Sequence, residues 1–198
     1  MPLHVSQAPP PALRTVLVAL DSPVAVRETR TPALRSVQGP LSPELPLPVH
    51  VLAVGDPLLG SADVPRTRLT GWRFMIRGGE LSIAAADTML TPDGWSFSHF
   101  SEGPYIASTE RALRQAEASQ TGWQPRLLSV PELYMLTLWL HGDTEADPAS
   151  GAPAPADVLI PLAPAPPGIA AHRPQRVADL MPLLSLRLAP PPLLGSTA

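Results

Sequence analysis

The chain has 198 residues, of which 44% are hydrophobic and 16% charged, and its formal net charge is −3. Such a length allows one ordinary domain or a small domain with extensions, and the low charge excludes disorder of the highly charged kind. A slightly acidic balance gives no footprint for nucleic acid, the absence of Cys rules out disulfides and thiolate chemistry, and no apolar run reaches the roughly 20 residues of a membrane span.

All fourteen basic residues are Arg, with no Lys and no Asn, which reads as codon bias in a high-GC bacterial genome. Prolines 9–11 precede the one N-terminal apolar run, Thr15–Leu20, and Asp21 cuts it off. A signal peptide is therefore not expected, and a cytoplasmic location is. The block from Leu69 to Asp147 holds all four Trp, both Tyr and all three Phe, but only four of the 28 prolines. Aromatics bury the most apolar area, and proline removes an amide that helices and ladders need. Three regions follow: a proline-rich N-terminal arm over 1–65, a compact domain over 66–170, and a Pro/Leu-rich tail over 171–198.

In the arm, Thr15–Leu20 and Val24–Thr29 are β-branched runs on either side of the turn-forming Asp21-Ser22-Pro23. They read as a hairpin or as strands added to another sheet. Residues 31–48, with prolines at 32, 40, 43, 46 and 48, read as a linker, and Val49–Val54 as a short strand. The compact region begins with alternating Trp72–Arg77, a Gly78-Gly79 turn and a returning strand over Glu80–Thr88. After Pro92-Asp93-Gly94, Trp95–Phe100 alternates again, with Trp95, Phe97 and His99 opposite Ser96, Ser98 and Phe100.

Gly103-Pro104 opens an amphipathic helix that should stop between Ser119 and Gly122. Leu127–Val130, the doubly apolar Leu133–His141 and Val158–Leu162 are the remaining strands, the last confined to an edge or an end by Pro161. A short helix is expected at Gln175–Met181. The leucines at 183, 184, 186, 188, 193 and 194 ask for a partner surface. The expected fold is α+β: a mostly antiparallel sheet in the order three strands, one helix, three strands, with the helix on one face and extended arms on either side.

Candidates for chemistry are few. His99 and Glu102 stand in Ser96-Phe97-Ser98-His99-Phe100-Ser101-Glu102, where a strand passes into a helix. Strand neighbours point to opposite faces, so Ser98 and His99 are expected to face apart, and no nucleophile-elbow glycines flank either serine. No catalytic residue is assigned on this basis. The helix start offers Ser101, Gly103 and Tyr105 as a binding surface, with Ser101 as the cap and Glu102 beside the amides. Trp123, in the polar TGWQP segment, is the Trp expected to be exposed. The five scattered histidines show no metal-ligand spacing, and Asp143, Glu145, Asp147 and Asp157 lack the calcium-loop offsets. No metal or cofactor is expected.

The central pattern of GWRF, FSHFSEGPYIAST, RLLSVPELYMLTLWLHGD and DVLIPLAPAPP resembles uncharacterised conserved proteins of high-GC bacteria, actinobacteria in particular, over Gly71–Pro167. That resemblance implies a compact domain and no known activity. The expected function is a non-enzymatic protein-binding or assembly module whose arms dock on a second copy or a protein partner. The alternative is a small ligand-binding domain or enzyme with a helix–sheet pocket around His99, Glu102 and Tyr105.

Overall fold

The computed structural model describes residues 3–26, 31–53, 66–151 and 153–188. Their elements run α1 (Pro10–Asp21), α2 (Pro23–Val26), α3 (Pro32–Ser36), β1 (Leu41–Ala53), β2 (Arg66–Gly78), β3 (Leu81–Thr91), β4 (Gly94–Ser101), α4 (Pro104–Glu117), β5 (Gln124–Val130), β6 (Met135–His141), β7 (Val158–Pro161), β8 (Gln175–Arg176) and α5 (Val177–Leu188). One sheet holds the eight strands in the order β4-β3-β2-β1-β5-β6-β7-β8. Every neighbouring pair is antiparallel except β1 and β5, which run parallel over Val49–Val51 and Leu127–Ser129. The fold is α+β with a mixed sheet, and four strands lie on each side of α4 in the chain where three were expected.

The largest departure from expectation is at the N-terminus. Thr15–Leu20 lies inside helix α1, and α2 covers the start of Val24–Thr29, whose residues 27–29 lie outside the described set. Two prolines in the first turn of α1 cost it no amide bond. Ala12, Val16 and Ala19 then fall on one face and bury against the sheet. Burial at helical spacing overrides the strand preference of the β-branched residues.

Residues 31–48 are likewise no linker, since they contain α3 and most of β1. Pro43 and Pro48 pair with Ile76 and Trp72 of β2, in a part of β1 that has no partner on its β5 side. A strand bonded along one side only tolerates missing amides. At the other end, Leu183–Leu188 continues α5 through Pro182, and Leu184 is fully buried while Leu183 and Leu186 are exposed. Leu193 and Leu194 lie outside the described residues.

Two faces of the sheet are covered. Trp72, Phe74 and Ile76 of β2 pack with α1, Leu34 of α3 and Phe100 of β4. Leu52, Leu128, Val130 and Trp139 pack with Leu180, Met181 and Leu184 of α5. Alternation along β1 puts Leu52 on the same face as Pro48, the partner of Trp72, so these two clusters share one side of the sheet. On the opposite side α4 lays Ala112, Leu113 and Ala116 on Leu127, Leu138 and Ile160, and Ile106 on Met75 and Ala85. Among the described residues no helix is long and apolar enough to cross a membrane.

Candidate functional site

The β2–β3 hairpin is closed by Gly79 and Glu80, with Gly78 paired to Leu81, so the turn sits one residue later than expected. Its register places Arg73 opposite Asp87, and β4 places His99 on the other side of Asp87. These three form one row across β2, β3 and β4 on the α4 side of the sheet. The Arg73 guanidinium donates to both Asp87 oxygens, Nε to Oδ1 at 2.7 Å and an Nη to Oδ2 at 2.8 Å. Burial draws the Arg73 pKa down, but the bonds and charge of Asp87 outweigh it and raise it. The pair is a bidentate clamp that fixes the carboxylate in the strand plane.

His99 completes the row. Its Nε2 lies 3.4 Å from Asp87 Oδ2, and the imidazole is half exposed. The β3–β4 ladder breaks between Asp87 and Thr88, whose partners are His99 and Phe97, so Ser98 is an inserted residue. This bulge has two effects. Phe97 and Phe100, separated by an odd step, meet on the α1 side with ring centroids 4.7 Å apart. Ser98 comes to the same side as His99, and its Oγ lies 3.0 Å from His99 Nδ1. The expectation that these neighbours face apart is therefore corrected: it assumed an unbroken alternation. With the hydroxyl donating to Nδ1, the ring carries its proton on Nε2, facing Asp87.

The other sequence candidates disperse. Glu102 does not serve the start of α4. Its Oε2 and Oε1 accept the backbone N–H groups of Ala33 at 3.1 Å and Leu34 at 3.0 Å, and so cap α3. Ser101 pairs with Ala85 in the ladder and does not cap α4, whose N-cap is Gly103 at φ 112 with no side-chain bond. A φ of that sign is readily reached only by glycine, which explains the residue there. Tyr105 is half-buried and its hydroxyl lies 2.9 Å from the Tyr134 carbonyl and 3.1 Å from that of Pro164. Burial raises its pKa against the pull of Arg73. Trp123 is half-buried against the α4 core, donates Nε1–H to Ser119 Oγ at 3.2 Å, and accepts the His4 amide on its carbonyl at 2.9 Å.

A second polar cluster lies on the α5 side and was not foreseen. Arg126, fully buried, donates to Gln124 Oε1, the Ser150 carbonyl and the Asp147 carbonyl at 2.7, 2.6 and 3.1 Å, and stacks over Trp139. His50 Nε2 lies 2.9 Å from the Pro148 carbonyl, and Thr67 Oγ1 donates to that of Gly151 at 2.9 Å. Asp157 accepts four bonds, from Trp139 Nε1, His141 Nδ1 and the amides of Gly142 and Ala154. Burial lowers the Arg126 pKa, with Asp157, Asp147 and Asp143 opposing. Burial also lowers that of His50 to about 4. Six of these nine bonds tie loop 142–157 to the sheet, and four of the six end on its backbone carbonyls. The cluster is a clasp.

A third contact pairs Ser108 Oγ with His172 Nε2 at 3.1 Å, while the same oxygen accepts the Ala163 amide at 2.7 Å. Burial, and then Arg111, lower the His172 pKa. Ser108 is buried and its oxygen is already engaged, so this pair holds segment 163–172 on α4. Among the described residues no group of three His, Cys, Asp or Glu side chains is placed to hold a metal ion. Among the described residues, only the row on β2–β4 combines a hydroxyl, an imidazole and a fixed carboxylate with access to solvent. Comparison with family models, with curated proteins and with solved structures finds no match for this chain.

Proposed function

We propose that the chain is a protein-binding or assembly module that docks on a second copy of itself. The observation that carries this reading is the outer face of α1 and α2. Val18 is 66% exposed, Val24 is 81% exposed and Leu17 is 44% exposed. Leu17 and Val18 form an apolar patch on the outer face of α1, between exposed Arg14 and Asp21, that burial against a partner would cover. α1 packs over β3 and β4, and β4 is the terminal strand of the sheet. Antiparallel pairing of two β4 edges about a two-fold axis brings two α1 helices together and covers these residues. The Thr15–Leu20 segment expected to dock as a strand would dock as a helix.

The test is size-exclusion chromatography with light scattering on the full chain and on Val18→Glu. A dimer in the wild type that becomes a folded monomer in the variant supports the reading. A wild type that stays monomeric at every concentration overturns it.

A further inference from the structure

We propose that Ser98, His99 and Asp87 form an acyl-accepting site, with Ser98 as nucleophile and His99 as general base. This goes beyond the assembly reading: the side chains of the site lie on the face of the sheet opposite α1, although on β4, the strand whose edge that reading pairs. The inference rests on four observations about geometry. The hydroxyl and the imidazole are in hydrogen-bond contact at 3.0 Å, the reach a general base needs. The second ring nitrogen lies 3.4 Å from a carboxylate oxygen, Asp87 Oδ2, which favours a proton on that nitrogen and leaves Nδ1 to accept one. That carboxylate is largely buried and held by two bonds from Arg73, so it cannot swing away from the imidazole. Ser98 and His99 are both exposed, so a substrate can reach them.

A bulge on an otherwise regular strand is what brings the three together. An unbroken β4 would turn Ser98 to the α1 side, where Phe97 and Phe100 pack. The inserted residue re-aims one side chain, a use of bulges common beside active sites.

The chemistry balances without any further group. Ser98 Oγ attacks the carbonyl carbon of an activated ester while His99 Nδ1 takes the hydroxyl proton. The imidazolium then faces the Asp87 carboxylate, and its proton passes to the departing alkoxide as the ester C–O bond breaks. Water, activated by the same nitrogen, releases the acid and restores the hydroxyl. Ser98 and His99 are the catalytic residues; Asp87 is a positioning residue, itself held by Arg73. The open setting on a sheet edge suits a small acyl group or the acyl end of an extended chain.

The experiment treats the full chain with a fluorophosphonate, in which Oγ displaces fluoride from phosphorus, and maps the adduct by tandem mass spectrometry. Labelling is expected on Ser98, absent in Ser98→Ala, unchanged in Ser96→Ala, and slower by about 100-fold or more in His99→Gln. Asp87→Ala should slow it and Asp87→Glu should restore part of the rate at unchanged circular dichroism. Since Ser98 and His99 are solvent-exposed, their variants are expected to fold, which a thermal melt checks. No adduct on a folded wild type overturns the proposal. So does labelling that falls equally on Ser96 and Ser101, or that survives His99→Gln. The adduct is read by mass spectrometry and the oligomeric state by light scattering, so failure of one reading is distinguished from failure of the other.

Discussion

His50 links stability to acidity in a way that can be measured. Its side chain is fully buried, and burial lowers its pKa from 6.5 to about 4. The bond to the Pro148 carbonyl opposes that shift, and the charges of Arg126 and His141 add to it. In the unfolded chain the imidazole takes a proton near pH 6.5; in the fold it resists until about pH 4. Between those values the unfolded state binds more protons, so stability falls as pH falls. The contribution is fully present above pH 6.5. A difference of about 2.5 units at roughly 1.4 kcal/mol per unit sets a limit of about 3 kcal/mol, most of it lost by pH 4.5. Carboxylates titrate over part of the same range, so the comparison is with His50→Gln, which keeps an amide donor for the clasp and cannot titrate. Urea unfolding followed by Trp fluorescence, at several pH values from 7.5 to 4.5, gives both slopes. The wild type should lose about 2 to 3 kcal/mol more than the variant over that range. Parallel pH profiles would refute the claim that a neutral, desolvated His50 holds the loop.

Two further substitutions test the frame around the sites. Glu102→Ala strips the acceptors from both amides at the start of α3 and should cost about 1 to 2 kcal/mol in denaturant unfolding; an unchanged midpoint would show that the carboxylate contributes nothing there. Gly71→Ala would place a Cβ 1.8 Å from the Thr88 carbonyl oxygen, a backbone atom that cannot step aside without parting β2 from β3. A loss of about 3 kcal/mol or more is expected on thermal or chemical unfolding, and a variant as stable as the wild type would contradict the close approach.

What the sequence disclosed followed from strong local signals. The alternation of Trp72, Phe74 and Ile76 and the glycines after Arg77 disclosed the hairpin, and Pro104 with the Tyr105–Ala116 periodicity disclosed α4. Of the strand expected over Leu133–His141, Met135–His141 is buried throughout, while Leu133 ends a 3-10 turn and Tyr134 is exposed in a left-handed conformation. The N-terminal third was misread because local preference and tertiary burial disagree there. Val16 and Val18 favour strand when taken alone, but the spacing of Ala12, Val16 and Ala19 fits a sheet face that only the folded chain supplies. Proline density hid β1, since Pro43 and Pro48 are tolerated where β1 bonds to β2 alone, an arrangement that only the folded sheet supplies. The candidate site failed for another reason. His99 was visible, but its acid partner is set by cross-strand register, and its contact with Ser98 by one inserted residue. Neither leaves a mark in composition or spacing.

The lone parallel seam also bears on how the chain reaches this state. On one side of it, β1 to β4 form a run of strands each paired to its neighbour in sequence; on the other, β5 to β8 do the same. Within each run, closing a hairpin costs little chain entropy because the partners are near in sequence. The seam is three residue pairs long and joins residues about 78 positions apart, Val49 to Leu127. Its loop is the expensive one to close. The two meanders are therefore natural early units, and α4, which bridges them, has its full set of partners only once they have joined along Val49–Val51. The search for the native state reduces to one docking event between two locally encoded halves.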